Sequence, residues 1–283
     1  MKITPQMVKE LRESTGAGMA DCKKALEETQ GNFEEAVEFL RKKGAASAAK
    51  RSDKEANEGL IVTVNNDDKT KTALVAVTCE TDFVAKNQEF VDYVTTVATT
   101  LLNNTVKTVE ELLTLKVGKD TIQDLHNSIL AKFSEKIDIA NINVYETTGY
   151  IESYIHGGAK LGVLLDISSA KLNDNAKQLV KDIAMQIAAM KPVAVDRSGV
   201  STDTLDKEVE IYKDQAIQEG KKPEIAEKVA LGRVEKFYKE NCLIEQVFVK
   251  DSKKSVSDVL SEISKEIGEE VKINRFERIA IGE

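Results

Sequence analysis

The chain has no tryptophan, three prolines, three cysteines and two histidines among its 283 residues. Cys22, Cys79 and Cys242 are odd in number and far apart. That excludes a disulfide framework and points to reduced thiols in a cytosolic protein. Neither His126 nor His156 neighbours a cysteine at metal-ligand spacing, which argues against a zinc site. Phosphate loops of the GxxxxGK[ST] type and a GxGxxG after a strand are absent, and Gly16-Ala17-Gly18 is too short a match to count. No serine or cysteine is set out as an activated nucleophile. Excess positive charge is also missing. The net charge of −8 speaks against nonspecific nucleic-acid binding as the main activity. No stretch approaches the roughly 18 uninterrupted apolar residues of a membrane span. Met1-Lys2-Ile3-Thr4-Pro5 carries neither a signal core nor an Arg-rich amphipathic pattern. A soluble, cytoplasmic binding protein is expected, without cofactor, metal or catalytic chemistry of its own.

What is present is globular: 41% hydrophobic and 31% charged, in a chain long enough for two or three domains. Thr4-Pro5 opens a helix with Thr as N-cap and Pro at the first helical position. A second helix begins near Met19 and is stopped at Gly31. Asn32-Phe33-Glu34-Glu35 has the form of a capping box, and Phe33, Ala36, Val37 and Leu40 form one helical stripe, with Gly44 as natural C-cap. Residues 1–45 thus read as a small three-helix module of the kind that binds partners. Residues 46–57 are a polar, alanine-rich linker, irregular or helical. Arg41, Lys42, Lys43, Lys50 and Arg51 make this region locally positive, either as a solvated surface or as a contact for an acidic protein face.

Residues 58–146 and 147–283 read as two α+β half-domains, each a small antiparallel sheet covered by helices. In the first, Gly59-Leu60-Ile61-Val62-Thr63-Val64 and the apolar run 73–79 form a hairpin. Helices follow near 90–101, 109–115 and 121–136, and an alternating strand at 137–145. In the second, strands at 150–156 and 161–167 flank Gly157-Gly158-Ala159-Lys160, a helix stripe over 176–190 stops at Pro192, and a last helix precedes a strand at 271–279. An insertion at 202–241 reads as an antiparallel helical hairpin turned at Gly220-Lys221-Lys222-Pro223. Its apolar stripe is thin and its flanks are charged, so it is expected to project, with ordinary packing on the body as the alternative.

The centre of this arrangement is Thr81-Asp82-Phe83-Val84-Ala85-Lys86-Asn87, a strand-to-helix junction. Such junctions lie at surfaces and carry function. Phe83 either tucks under the following helix or stands exposed among polar neighbours. Glu80 and Asp82 imitate a carboxylate pair without a fixed spacing. His126 sits in a helical pattern, half-buried. His156, beside a glycine turn, is placed to meet a partner.

Several motifs in order resemble one family. They are Val8-Lys9-Glu10-Leu11-Arg12, Thr15-Gly16-Ala17-Gly18-Met19, Asp21-Cys22-Lys23-Lys24-Ala25-Leu26, Thr81-Asp82-Phe83-Val84-Ala85-Lys86, His156-Gly157-Gly158-Ala159-Lys160-Leu161-Gly162-Val163 and Ile187-Ala188-Ala189-Met190-Lys191-Pro192. The chain resembles the elongation factor Ts family, guanine-nucleotide exchange factors for elongation factor Tu. The resemblance implies a ubiquitin-associated-like first module that docks on the nucleotide-binding domain of the partner. It implies that Thr81, Asp82, Phe83 and Val84 dislodge Mg²⁺ from elongation factor Tu, with Phe83 as the wedge and Asp82 and Val84 in support. Lys23, Lys50, His156 and Gly157 fall at further partner contacts. The hairpin resembles the family's coiled-coil insertion, which implies a homodimer in some members. No direct contact with nucleic acid or membrane is implied. A helical tail found after the last strand of well-known members has no counterpart before Glu283, so that contact is expected to be missing.

Overall fold

The computed structural model describes residues 2–51, 53–104 and 106–283. Thr4 caps α1 (Pro5–Thr15) by accepting the Met7 N–H at 3.3 Å, and Gly16 ends it at φ +67°. With α2 (Met19–Glu28) and α3 (Phe33–Ala49) it encloses a small core of Val8, Leu11, Ala17, Cys22, Ala25, Leu26, Ala36 and Leu40. The capping box at Asn32 is altered. Its side chain accepts the Glu35 N–H at 3.3 Å, and its amide donates to the Glu35 carboxylate. The Asn32 N–H turns to the Thr29 carbonyl instead.

The body follows as β1 (Glu58–Asn65), β2 (Lys71–Cys79), the single turn α4 (Asp82–Ala85), α5 (Gln88–Leu102), α6 (Val109–Leu113), β3 (Lys116–Val117), β4 (Asp120–Thr121), α7 (Ile122–Phe133) and β5 (Ile137–Glu146). It continues with β6 (Tyr150–His156), β7 (Leu161–Ile167), α8 (Asp174–Met190), α9 (Thr202–Gln218), α10 (Pro223–Asn241), β8 (Val247–Phe248), β9 (Asp251–Ser255), α11 (Val256–Ile267) and β10 (Ile273–Ala280). Two three-stranded antiparallel sheets result, in the orders β1-β2-β5 and β6-β7-β10. Each is a hairpin whose second strand takes, as its other neighbour, a strand arriving after the helices. The two halves are therefore wound alike, and the chain is α+β.

β2 is apolar without alternation because both of its faces are covered. Ala73, Val75, Val77 and Cys79 face the core under α5 and α7, together with Phe90, Val94 and Leu101. Leu74 and Ala76 face the other sheet and meet Ile61, Tyr145, Ile151, Leu164 and Ile281. β7 divides the same way: Val163, Leu165 and Ile167 pack toward α8 and α11, and Leu164 packs between the sheets. The result is helices, sheet, sheet, helices. Burial of both faces of both central strands fixes their register, since a slip of one residue would exchange the two cores.

Gly44 is not a C-cap. α3 continues to Ala49, because helix-forming alanines follow and Gly44 lies where α3 crosses α7. A Cβ there would fall 2.5 Å from the backbone N and Cα of Ala131. Arg41 to Asp120 at 3.1 Å and the Lys43–Asp21 pair flank the crossing. Gly44→Val is expected to force α3 off α7 and cost about 1–3 kcal/mol by overpacking. Limited trypsin cleavage near Lys50 and Arg51 would then accelerate; an unchanged cleavage rate would contradict this close approach.

α7 stops at Phe133, three residues short of the sequence expectation, with Ser134 in the left-handed region at φ +54°. α9 and α10 pack on each other through Ala216, Ala226 and Ala230. Their large buried side chains gather at the base, where Phe237 meets Ala194, Val200 and Cys242. Arg197 holds that base, reaching Glu235 at 3.0 Å and Glu245 at 2.6 Å and lying over the Tyr238 ring. Farther out, Ile211, Ile217, Ile225 and Leu231 are exposed. The β3–β4 and β8–β9 ladders were not legible in the sequence, because β3, β4 and β8 have two residues each and no period to detect, and the five residues of β9 are all polar. Among the described residues, no helix is long and apolar enough to cross a membrane.

Candidate functional site

β2 ends at Cys79, opposite Glu58 of β1, and the chain leaves the sheet through Glu80 and Thr81. Three residues from elsewhere fix this exit. Arg51 donates to both oxygens of Glu80 at 2.6 Å, and the Lys136 N–H donates to the same carboxylate at 2.7 Å. Glu135 accepts from Thr81 twice, from its N–H at 3.1 Å and from its hydroxyl at 2.7 Å. The Thr81 hydroxyl oxygen in turn caps α4, accepting the Val84 N–H at 3.4 Å. Cys79 Sγ lies 3.2 Å from the Thr81 carbonyl. Burial pushes the Cys79 thiol up to about 12, so it is no thiolate nucleophile.

On this pinned turn the four motif residues divide by direction. Thr81 is the latch. Asp82 pairs with Lys86 at 2.6 Å, one helical turn on, and the hydrogen bond from Lys86 holds its carboxyl below the usual range. Val84 is buried, 6% exposed, in the core under α5. Phe83 is 83% exposed, the most exposed large hydrophobic residue of those described. The alternative of Phe83 tucked under the next helix is thus excluded. That place is taken by Phe90, which is fully buried. Glu80 and Asp82 are no acid–base pair, since each is held by a different cation.

Lys23 is exposed on α2, 3.8 Å from Glu27. Lys50 is exposed where α3 ends, one residue before the Arg51 clamp. His156 is exposed at the end of β6, and its Nδ1 lies 2.7 Å from the Tyr154 hydroxyl. Gly157, Gly158 and Ala159 all have positive φ, from +61° to +68°, which makes a tight turn between β6 and β7. That turn reaches the end of β1 nearest the Phe83 turn. The Ile61 N–H donates to the Ala159 carbonyl at 2.7 Å, and Lys160 pairs with Glu58 at 2.6 Å. Glu58 is also the residue opposite Cys79. The two turns therefore lie at one end of the stacked sheets. His126 is half-buried on α7, 2.7 Å from the Tyr93 hydroxyl. Among the described residues no group of three or more His, Cys, Asp or Glu is arranged to hold a metal.

Sequence reasoning missed Arg51 and Glu135 as supports. Arg51 counted only as one of several basic residues. Glu135 fell inside an expected helix, and the left-handed Ser134 that turns it toward Thr81 leaves no sequence signal.

The clamp on Glu80 has a pH signature. The hydrogen bonds from Arg51, with help from the Lys136 N–H, bring its carboxyl down to about 2. Its folded value lies below the unfolded one, so the clamp stabilises the fold above about pH 4.3. That contribution is lost as pH falls from there through about 2. Glu80→Gln is expected to lower the urea midpoint at pH 7, and the gap to wild type is expected to narrow steadily as pH falls below about 4.3. A difference that grows on acidification would contradict the clamp.

The family model for elongation factor TS matches residues 80–283. The elongation factor Ts of Clostridium kluyveri is 47% identical over 285 residues, covering 99% of this chain and 93% of that protein. That of Clostridium perfringens SM101 is 44% identical, covering 99% and 93%. That of Chloroherpeton thalassium is 44% identical, covering 100% and 99%. The matched region begins at Glu80, the clamped residue, and takes in the exposed turn, β5, the whole β6-β7-β10 sheet and the hairpin. The chain belongs to the elongation factor Ts family.

Proposed function

We propose that this translation elongation factor is a guanine-nucleotide exchange factor. It binds elongation factor Tu carrying GDP and promotes GDP release, after which GTP rebinds. The carrying observation is Phe83, 83% exposed on a turn whose neighbours are pinned or buried. Leaving a phenyl ring in water forgoes roughly 1.5–3 kcal/mol of burial, which makes sense if a partner covers it. In a GTPase, Mg²⁺ bridges the nucleotide phosphates to the protein. A ring driven between the helices behind that ion removes the bridge without touching the nucleotide. Thr81 and Val84 hold the wedge from below, and Asp82 sits beside it with Lys86.

Coupling is reciprocal. If this protein weakens nucleotide binding, nucleotide weakens its own binding by the same factor. It therefore needs grip besides the wedge. Lys23 on α2, Lys50 after α3, and His156 and Gly157 on the β6–β7 turn are assigned that role. Linked modest contacts add avidity. No group in this reading makes or breaks a covalent bond, so the protein acts by binding alone.

The test is release of a fluorescent GDP analogue from elongation factor Tu with this protein at catalytic concentration. Faster release with many turnovers per molecule is expected. Stable binding without faster release would overturn the reading and leave a passive adaptor.

A further inference from the structure

The Phe83 turn is held from two directions. Arg51, just past the end of α3, grips Glu80 with two hydrogen bonds of 2.6 Å. Glu135, just past the end of α7, grips Thr81 with bonds of 2.7 and 3.1 Å. These two helices are themselves locked together at the Gly44–Ala131 crossing. Four charge-assisted bonds thus converge on the two residues immediately before α4. Val84 and Ala85, buried at 6% and 9%, fix the other side of the turn. Between these supports stands Phe83, with nothing of its own to hold it.

We propose that Glu135 and Arg51 are positioning residues for the exchange step, setting the height and direction at which Phe83 meets the partner. The inference rests on the exchange reading above. Neither side chain needs to touch the partner. A working group is effective only when its support holds it to about half an ångström, and displacement by about 1 Å can cost a hundredfold. With the Glu135 carboxylate gone, the Thr81 N–H and hydroxyl lose their acceptor, and the turn is held only by the clamp on Glu80 and by the buried Val84 and Ala85. With Arg51 gone, Glu80 keeps only the Lys136 N–H. The grip residues Lys23, His156 and Gly157 lie on other elements and keep their places, and Lys50 adjoins Arg51, which makes Glu135→Ala the cleaner of the two variants. The two variants should therefore lose speed and not affinity.

The experiment is stopped-flow release of a fluorescent GDP analogue from elongation factor Tu, titrated with the full-length chain. Wild type, Phe83→Ala, Glu135→Ala, Glu135→Gln and Arg51→Met are compared. Glu135→Ala and Arg51→Met are expected to lower the maximal release rate about tenfold, with half-saturation moving less than about threefold. Glu135→Gln keeps one acceptor oxygen and is expected to recover most of the rate. A Glu135→Ala maximum within twofold of wild type, while Phe83→Ala is slow, would overturn the positioning role alone. Weaker half-saturation with an unchanged maximum would also overturn it, by making Glu135 a grip residue. If wild type itself fails to speed release, the exchange reading fails, and the positioning role falls with it. Should Glu135→Ala not fold, Arg51→Met and Glu135→Gln carry the same comparison.

Discussion

Phe83→Ala is expected to slow catalysed GDP release by about a hundredfold or more while leaving the thermal midpoint of the isolated protein unchanged. A phenyl ring buried in a partner is worth about 3–5 kcal/mol against alanine. Each ~1.4 kcal/mol of barrier is tenfold in rate. In the free protein the ring is 83% exposed, so its removal opens no cavity. Thr81 still latches to Glu135, Val84 remains buried and α4 keeps its N-cap. The variant should bind the partner through the other contacts and act as a slow competitor of wild type. A melting scan beside the release assay checks both halves. A large fall in melting midpoint would mean that Phe83 supports the fold, contrary to its exposure.

Phe90→Ala should do the opposite. Phe90 lies seven residues on, fully buried on the inner face of α5. Its ring meets Phe133 edge-on at 6.5 Å and 80°, and Tyr93 at 6.5 Å. Truncation removes the largest fully buried side chain of the first core and leaves a hole bounded by β2 and α7. A cost of roughly 3–5 kcal/mol is expected, a large share of the stability of any domain. Urea unfolding at 25 °C reads it directly. Exchange by the fraction that remains folded should be far closer to wild type than that of Phe83→Ala, because the ring is present and Arg51 and Glu135 still pin the turn from outside this core. A stability loss under about 1 kcal/mol would mean that this core relaxes around the gap. The two phenylalanines thus separate function from folding within one short stretch.

That separation was not visible in the pattern. An aromatic at a strand-to-helix junction is compatible with core and with surface, and spacing alone favours core. What decides it is competition for one site: Phe90 fills the space under α5, and Val84 takes the inward direction from α4. The architecture was easier to read. β2 announces two covered faces by lacking alternation, and the repeated order of hairpin, helices and strand marks two similar halves. The supports were harder. Gly44 reads as a helix stop, yet it is a crossing point, because a glycine signal does not distinguish a turn from a close approach. Arg51 and Glu135 lie 29 and 54 residues in sequence from Glu80 and Thr81, the residues they hold. No local pattern reaches that far. His156 was readable by position, since a side chain before a tight glycine turn has little to bury it.

In the proposed exchange, Phe83 speeds release by disturbing the Mg²⁺ site of elongation factor Tu. The most direct test compares wild type with Phe83→Ala at saturating concentration, once with millimolar Mg²⁺ and once with the ion removed by EDTA. If the ring acts by breaking the metal bridge, its advantage depends on there being a bridge to break. The ratio of the two rates should be large with Mg²⁺ and close to one without it. An equally large ratio in both conditions would contradict the claim, placing the action of Phe83 somewhere other than the metal.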